Sequence, residues 1–112
     1  MPEGIITFND WNKLNLQVAE ILETEDIKGA DKLLKLKIDL GTETRILIAG
    51  IKQNYTKEEL NGKRIVVLTN LEPKTMRGIE SQGMLLAAVS DDHSEVKLLQ
   101  PDGAMALGSR VS

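Results

Sequence analysis

The stretch LKLKIDLGTETRILIAGIKQNYTKEELNGKRIVVL, residues 34–68, decides the fold. Leu34, Leu36, Ile38 and Leu40 recur at period two with Lys35, Lys37 and Asp39 between them, the pattern of a strand with one wet face. Gly41-Thr42-Glu43 supplies a turn. Arg45 to Ala49 reads as a further strand, with Ile46 and Ile48 on one face. Gly50 to Asn54 is a connector. Thr56 is followed three residues later by Glu59, a capping box, and Tyr55 and Leu60 fit a hydrophobic staple, so a short helix begins here. Asn61-Gly62 ends it with residues that tolerate left-handed backbone. Ile65 to Leu68 is a continuous apolar run and reads as a buried strand.

Upstream, Leu14, Leu16 and Val18 alternate with polar or small residues, and the phase then shifts toward Ile21. A bulge or bend in a long strand explains that shift, and a first barrel strand needs such a bend. Before it, Thr7 and Asp10 can cap one helical turn, with Ile6 stapled onto Trp11. Downstream, residues 70–83 read as a long loop and Met84 to Val89 as a fifth strand. Asp91-Asp92 turns the chain. Val96, Leu98 and Leu99 add a short strand before a tail that ends near Val111. Three strands, one helix and two strands is the order of an all-β, five-stranded OB-fold barrel with its helix between strands three and four. An open antiparallel sheet of the same elements is the alternative. We expect one domain over residues 1–112, with a core at about 12–90, an arm at 1–11 and a tail at 91–112.

The 112 residues suffice for one domain. With 41% hydrophobic and 28% charged residues, a globular fold is expected. No apolar run is long enough to span a membrane, and Met1-Pro2-Glu3 opens without a secretory signal. There is no cysteine, so disulfides and thiolate chemistry are excluded, and a cytoplasmic protein is expected. His93 beside Asp91 and Asp92 reads as a solvated turn rather than a metal site. No phosphate-cradling glycine loop, nucleophile elbow or cofactor signature is present. Neither catalytic residues nor a cofactor are expected.

The net charge of −3 hides an uneven distribution. Residues 51–80 carry Lys52, Lys57, Lys63, Arg64, Lys74 and Arg77 against four acidic residues, whereas the segments on either side are net acidic. A local basic field can steer a polyanion even when the whole chain is acidic. The long loop presents Lys74 and Arg77, stiffened by Pro73 and shaped by Gly78 and Gly83. In an OB fold the loop between strands four and five, the loop between strands one and two, and the outer face of strands two and three grip nucleic acid. Here the first loop offers Lys28 and Lys32, and the outer face is expected to offer Lys35, Lys37 and Arg45. Only Phe8, Trp11 and Tyr55 are aromatic, and each has a local packing role to fill. That leaves no obvious platform for stacking bases, so a structured RNA read by shape and phosphate positions is expected.

Several stretches carry a resemblance to a known family. They are Val18-Ala19-Glu20-Ile21-Leu22, Gly29-Ala30-Asp31-Lys32-Leu33, Ala49-Gly50-Ile51, Tyr55 to Leu60, Gly62-Lys63, and Asn70-Leu71 through Gly83-Met84. The segment from Gly78 to Met84 is the most specific. From Phe8 to Ser112 the chain resembles the tRNA-binding domain found at the C-terminus of methionyl-tRNA synthetases, as a separate β-subunit, and as free-standing tRNA-binding proteins. The resemblance implies an OB fold, a homodimer, and recognition of tRNA by general shape. It implies RNA contact at Asn70, Lys74, Arg77, Ser81 and Met84, with a packing role as the alternative for Ser81 and Met84, and the basic residues Lys32, Lys35, Arg45 and Lys52 are added. The family usually has an arginine where this chain has Gln17. The signature motifs of the synthetase catalytic core are absent, so affinity for tRNA, not aminoacylation, is expected, with a methionyl-tRNA synthetase chain as partner. A chaperone-like branch associated with protein export also resembles this domain. It tends to lack the Ser81-Gln82-Gly83-Met84 segment, which favours the tRNA branch.

The homodimer also has a reading in the residues. The arm carries Ile5, Phe8 and Trp11, and the tail carries Leu98, Leu99, Met105, Leu107 and Val111, more apolar side chains than a small barrel can hold. Exposed apolar patches of this kind mark interfaces, and these eight residues are expected to form one.

Overall fold

Leu16–Asp26 forms β1, the strand that both halves of the barrel share. Its computed structural model, like that of the whole chain, describes residues 3–112, so Met1 and Pro2 lie outside it. Leu16 and Val18 are buried on one phase, then Ala19 and Ile21 on the other. The pairing register slips between Ile21 and Glu23, which is the expected bulge. Before the slip β1 pairs antiparallel with β4 (Arg64–Leu68), from Leu16 opposite Leu68 to Glu20 opposite Arg64. From Glu20 to Asp26, across the slip, β1 pairs on its other edge with β2 (Leu34–Asp39), which pairs in turn with β3 (Thr44–Ala49). The bend lets one strand serve two partners, as a closed sheet requires.

β3 carries Ile46 and Ile48 on one face as expected, but the barrel interior takes the other phase, Leu47 and Ala49. Helix α2 (Lys57–Leu60) lies between β3 and β4. The Thr56 hydroxyl accepts the Glu59 amide at 3.1 Å, and the Glu59 carboxylate accepts the Thr56 amide at 2.9 Å. That reciprocal cap fixes the helix so that Leu60 enters the core. Ile21, Leu34, Leu36, Ile38, Leu47, Leu60, Ile65 and Val67 are the largest fully buried side chains. Each contributes about 1.5–3 kcal/mol of burial.

Residues 70–83 are not an open loop. They contain a hairpin of β5 (Lys74–Met76) and β6 (Ile79–Ser81). Arg77 (φ 53°) and Gly78 (φ 79°) form its two-residue turn, and positive φ at both positions is the type I′ geometry that matches strand twist. Three-residue strands are too short to show a period, and Arg-Gly is not a typical hairpin signal. The expected fifth strand is likewise divided. β7 (Met84–Leu85) pairs with β4, while β8 (Ala87–Val89) pairs with β9 (Val96–Leu98). Leu86 sits at the switch, its amide bonded to the Val66 carbonyl and its carbonyl to the Leu99 amide, both at 3.0 Å.

The barrel is a nearly closed, five-strand antiparallel OB-type barrel, and its last seam is sealed partly by side chains. The Gln82 amide donates to the Ile46 carbonyl at 2.8 Å, and the Ile46 amide donates to Gln82 Oε1 at 3.0 Å. Ser81 Oγ accepts the Ile48 amide at 3.0 Å. The tail then returns to β1, where β10 (Arg110–Val111) pairs with Leu16 and Gln17 on the edge that β2 leaves free. The arm forms α1 (Phe8–Asn12) with its Thr7–Asp10 capping box in place.

Candidate nucleic-acid interface

Met76 and Ile79 of the hairpin pack with Ile27, Ala30, Leu33 and Ile48 in a small apolar cluster outside the barrel. The phase of β3 that faces away from the core is therefore what holds the hairpin down. This contact sets the hairpin turn beside the β1–β2 loop. Arg77 lines one shallow concavity with Gly29, Ala30, Asp31, Lys32 and Leu33. Gly29 is left-handed (φ 79°), and the Arg77 Nη1 lies 3.9 Å from where a side chain on it would begin. Lys35 and Lys37 extend the same side along β2, opposite Ile48 and Ile46 of β3.

Several cations on this side are free of ion pairs, although Glu23 and Glu25 face Lys37 and Lys35 across the β1–β2 ladder. Among the described residues Lys28, Lys32, Lys37, Lys74 and Arg77 make no ion pair. Lys35 is only loosely held, 3.8 Å from Glu25. Lys52 and Lys57 differ: both reach Asp26, at 3.3 and 2.9 Å. Hydrogen bonds from Lys57 and then Lys52 hold the Asp26 carboxyl below its usual range. The same contact with Asp26 raises the Lys57 ammonium. A polyanion near this side therefore meets the loop and hairpin cations first.

The structure redistributes the residues expected to touch RNA. Lys32 and Arg77 come together in one concavity, while Lys74, at the base of the hairpin, lines a separate groove with Ile48, Met76 and Met84. Arg45 does not share their face: it lies opposite Ile38 in the register, and its guanidinium donates to the Thr69 carbonyl and to the Gln82 carbonyl. It joins the backbones on either side of the hairpin and pairs with Glu43. Asn70 is also engaged. Its Nδ2 donates to the Lys13 carbonyl at 2.6 Å and its Oδ1 accepts the Asn15 amide at 2.9 Å, tying the loop to the start of β1. Ser81 is buried in the barrel seam, so its hydroxyl faces protein. Met84 is exposed, contrary to a packing role, and lines a groove with Ile48, Leu71, Lys74 and Met76.

The loop-shaping residues divide by cause. Gly78 needs only its positive φ, since nothing lies within 4 Å of a would-be side chain. Gly83 has no room: a Cβ there would stand 2.9 Å from the Leu68 carbonyl. Pro73 is exposed at the entry to β5. Sequence reading missed Gln82 as a barrel closer, because its partner Ile46 lies 36 residues away and leaves no local signal. Gln17 faces Arg110 across the β1–β10 pair, so a cation stands beside the position where the family's arginine is replaced.

The expected dimer residues also separate. Leu98 belongs to the barrel core, and this corrects its assignment to an interface. Trp11 and Val111 pack against Leu16, Val66 and Leu68 within the same chain, and Leu107 is half-buried. Ile5, Phe8, Leu99 and Met105 are exposed, at 57%, 75%, 45% and 50%. Phe8 thus has no packing role in the monomer. Among the described residues, no helix is long and apolar enough to cross a membrane.

Comparison with known proteins agrees with this geometry. Residues 16–110 match the family described as "Putative tRNA binding domain". The chain is 50% identical over 106 residues to a methionine–tRNA ligase of Thermococcus onnurineus, covering 95% of this chain and 14% of that protein. It is 52% identical over 106 residues to a methionine–tRNA ligase of Clostridium perfringens, covering 95% of this chain and 16% of that protein. The chain therefore spans only a small part of the curated relatives it matches. Among solved structures, a MetRS-related protein from Pyrococcus horikoshii superposes with a TM-score of 0.91 at 35% identity, covering 96% of this chain and 98% of that one. A CsaA chaperone protein from Picrophilus torridus superposes with a TM-score of 0.86 at 37% identity, covering 96% and 100%. A match to the family across nearly the whole barrel, on a fold that gathers unpaired cations at its loop and hairpin, means that this chain belongs to the tRNA-binding domain family.

Proposed function

We propose that the chain is a non-catalytic module, working in the cytoplasm as a homodimer, that binds tRNA by shape and phosphate positions and raises the tRNA affinity of a methionyl-tRNA synthetase, in cis or in trans. The observation that carries this reading is that Lys28, Lys32, Lys37, Lys74 and Arg77, on the first loop, β2 and the hairpin, are free of ion pairs among the described residues in a chain whose net charge is −3. Phosphate contacts position a protein on RNA without reading its sequence. The lack of an exposed aromatic in the hairpin or first loop supports the same mode. The exposed arm and tail residues Ile5, Phe8, Leu99 and Met105 support the dimer, which would set two basic sides against RNA and add avidity.

The test adds the purified chain to a methionyl-tRNA synthetase core that lacks such a domain. A module that binds substrate and transition state alike lowers the KM for tRNA more than it raises kcat. An unchanged KM counts against the synthetase role. The likeness to a CsaA chaperone favours a second reading, binding of unfolded polypeptide, for which the exposed groove of Leu71, Met76 and Met84 is suited. Affinity for an unfolded polypeptide with none for tRNA would replace the first reading with the second.

A further inference from the structure

We propose that Lys52 and Lys57 form a second, latent phosphate-binding site for the RNA backbone, flanking the loop and hairpin cations, and that the Asp26 carboxylate occupies it in the free protein. The inference rests on the tRNA-binding reading above and adds a site and its control.

The geometry is that of a bound oxyanion. Asp26 Oδ1 lies 3.3 Å from the Lys52 ammonium, and Oδ2 lies 2.9 Å from the Lys57 ammonium. One carboxylate thus bridges two cations from separate elements, the β3–α2 connector and α2 itself. Two oxygens of a phosphate can occupy the same two positions. The site also adjoins the open cations: the Lys52 amide donates to the Lys32 carbonyl at 3.2 Å, so the connector carrying Lys52 is fastened to the β1–β2 loop. Asp26 ends β1 where that loop begins. All three side chains remain substantially exposed, at 34% for Lys52, 45% for Lys57 and 51% for Asp26, so a backbone phosphate can reach them.

The consequence is a limit on the basic footprint. While Asp26 holds both lysines, a passing phosphate must displace a carboxylate and gains little net charge neutralisation. With Asp26 neutral the two lysines add to the RNA face and release further counterions on binding. Asp26 is therefore the residue that confines affinity to RNAs whose phosphates fit the loop and hairpin, rather than any polyanion.

The experiment measures tRNA affinity against salt for wild type, Asp26→Asn, Glu58→Gln, Lys74→Glu, and the triple variant Asp26→Asn/Lys52→Gln/Lys57→Gln. Glu58→Gln makes the same change of net charge next to Lys57 without touching the Asp26 pairs. Two added phosphate contacts steepen the slope of log K against log salt by roughly 1.5 to 2, and tighten binding at low salt by about tenfold or more. Asp26→Asn should show both effects, exceed Glu58→Gln in each, and lose its gain in the triple variant. A gain that survives in the triple variant, or that Glu58→Gln equals, reduces the effect to net charge and overturns the site. No gain in a wild-type background that binds tRNA and loses it with Lys74→Glu overturns this inference alone. No tRNA binding by either wild type or Asp26→Asn overturns both readings.

Discussion

The Ser81 hydroxyl accepts the Ile48 amide at 3.0 Å and donates its own hydrogen to the Gly83 carbonyl at 3.1 Å, closing the barrel seam with a side chain where a strand ladder would be expected. Ser81→Ala leaves a buried amide unpartnered, which costs about 1–3 kcal/mol. Urea denaturation should show that loss. A midpoint equal to wild type would mean that the seam is held elsewhere.

The turn of the hairpin separates conformation from charge. Arg77 sits at φ 53°, a region asparagine tolerates and valine does not. Arg77→Asn should keep the hairpin ordered and weaken tRNA binding through lost charge. Arg77→Val should in addition cost about 1–2 kcal/mol of turn strain. Equal amide-exchange protection across Lys74–Ser81 in the two variants would contradict the assigned turn.

Gly108 fixes the tail. Its φ is 84°, and a Cβ would stand 2.6 Å from the Leu40 carbonyl. The Gly108 amide donates to the Val18 carbonyl at 2.8 Å, and the neighbouring Ser109 carbonyl accepts the Val18 amide at 2.9 Å. Gly108→Ala should release β10 from β1 and speed exchange of the Val18 amide. Unchanged protection at Val18 would show that the tail docks without this contact.

These contacts mark the boundary of what the sequence reveals. Alternation in Leu34–Leu40, the phase shift at Ile21 and the Thr56–Glu59 cap are local signals, and they place β1 to β4 and α2. The seam through Ser81 and Gln82 and the return of Val111 to Leu16 depend on partners far along the chain, and no local period encodes them. The site divides in the same way. Lys74 and Arg77 are legible as a basic loop. That Arg45 and Asn70 spend their donors on backbone carbonyls is not legible, because the same residue types at the same positions would serve RNA equally well.

The β8–β9 turn should resist acid. Asp92 accepts hydrogen bonds from the Ser94 hydroxyl at 2.7 Å, the Ser94 amide at 3.1 Å and the Ser90 hydroxyl at 2.8 Å, and its pKa is lowered to about 2. A depressed carboxyl stabilises the fold fully above its ordinary value of 3.8. That contribution fades below 3.8 and is gone once the pH has fallen through the folded value. An NMR titration should find the Asp92 midpoint near 2 and the turn intact at pH 4. A midpoint at the ordinary value would contradict the hydrogen-bond set.

The dimer proposed from the arm and tail calls for Phe8→Glu and Met105→Glu. Each puts a charge where an apolar contact is expected and should shift sedimentation equilibrium toward monomer. A wild-type monomer at micromolar concentration would remove the proposal. Dimers that survive both substitutions would move the interface elsewhere.

The central claim is that tRNA is held by phosphate contacts from Lys28, Lys32, Lys37, Lys74 and Arg77. It is tested most directly by the salt dependence of binding for several tRNAs, with wild type and with Lys74→Glu. Five contacts predict a slope of log K against log salt of roughly −4. Lys74→Glu should flatten it and weaken every tRNA alike. A slope near zero, or a loss confined to one isoacceptor, would contradict the account.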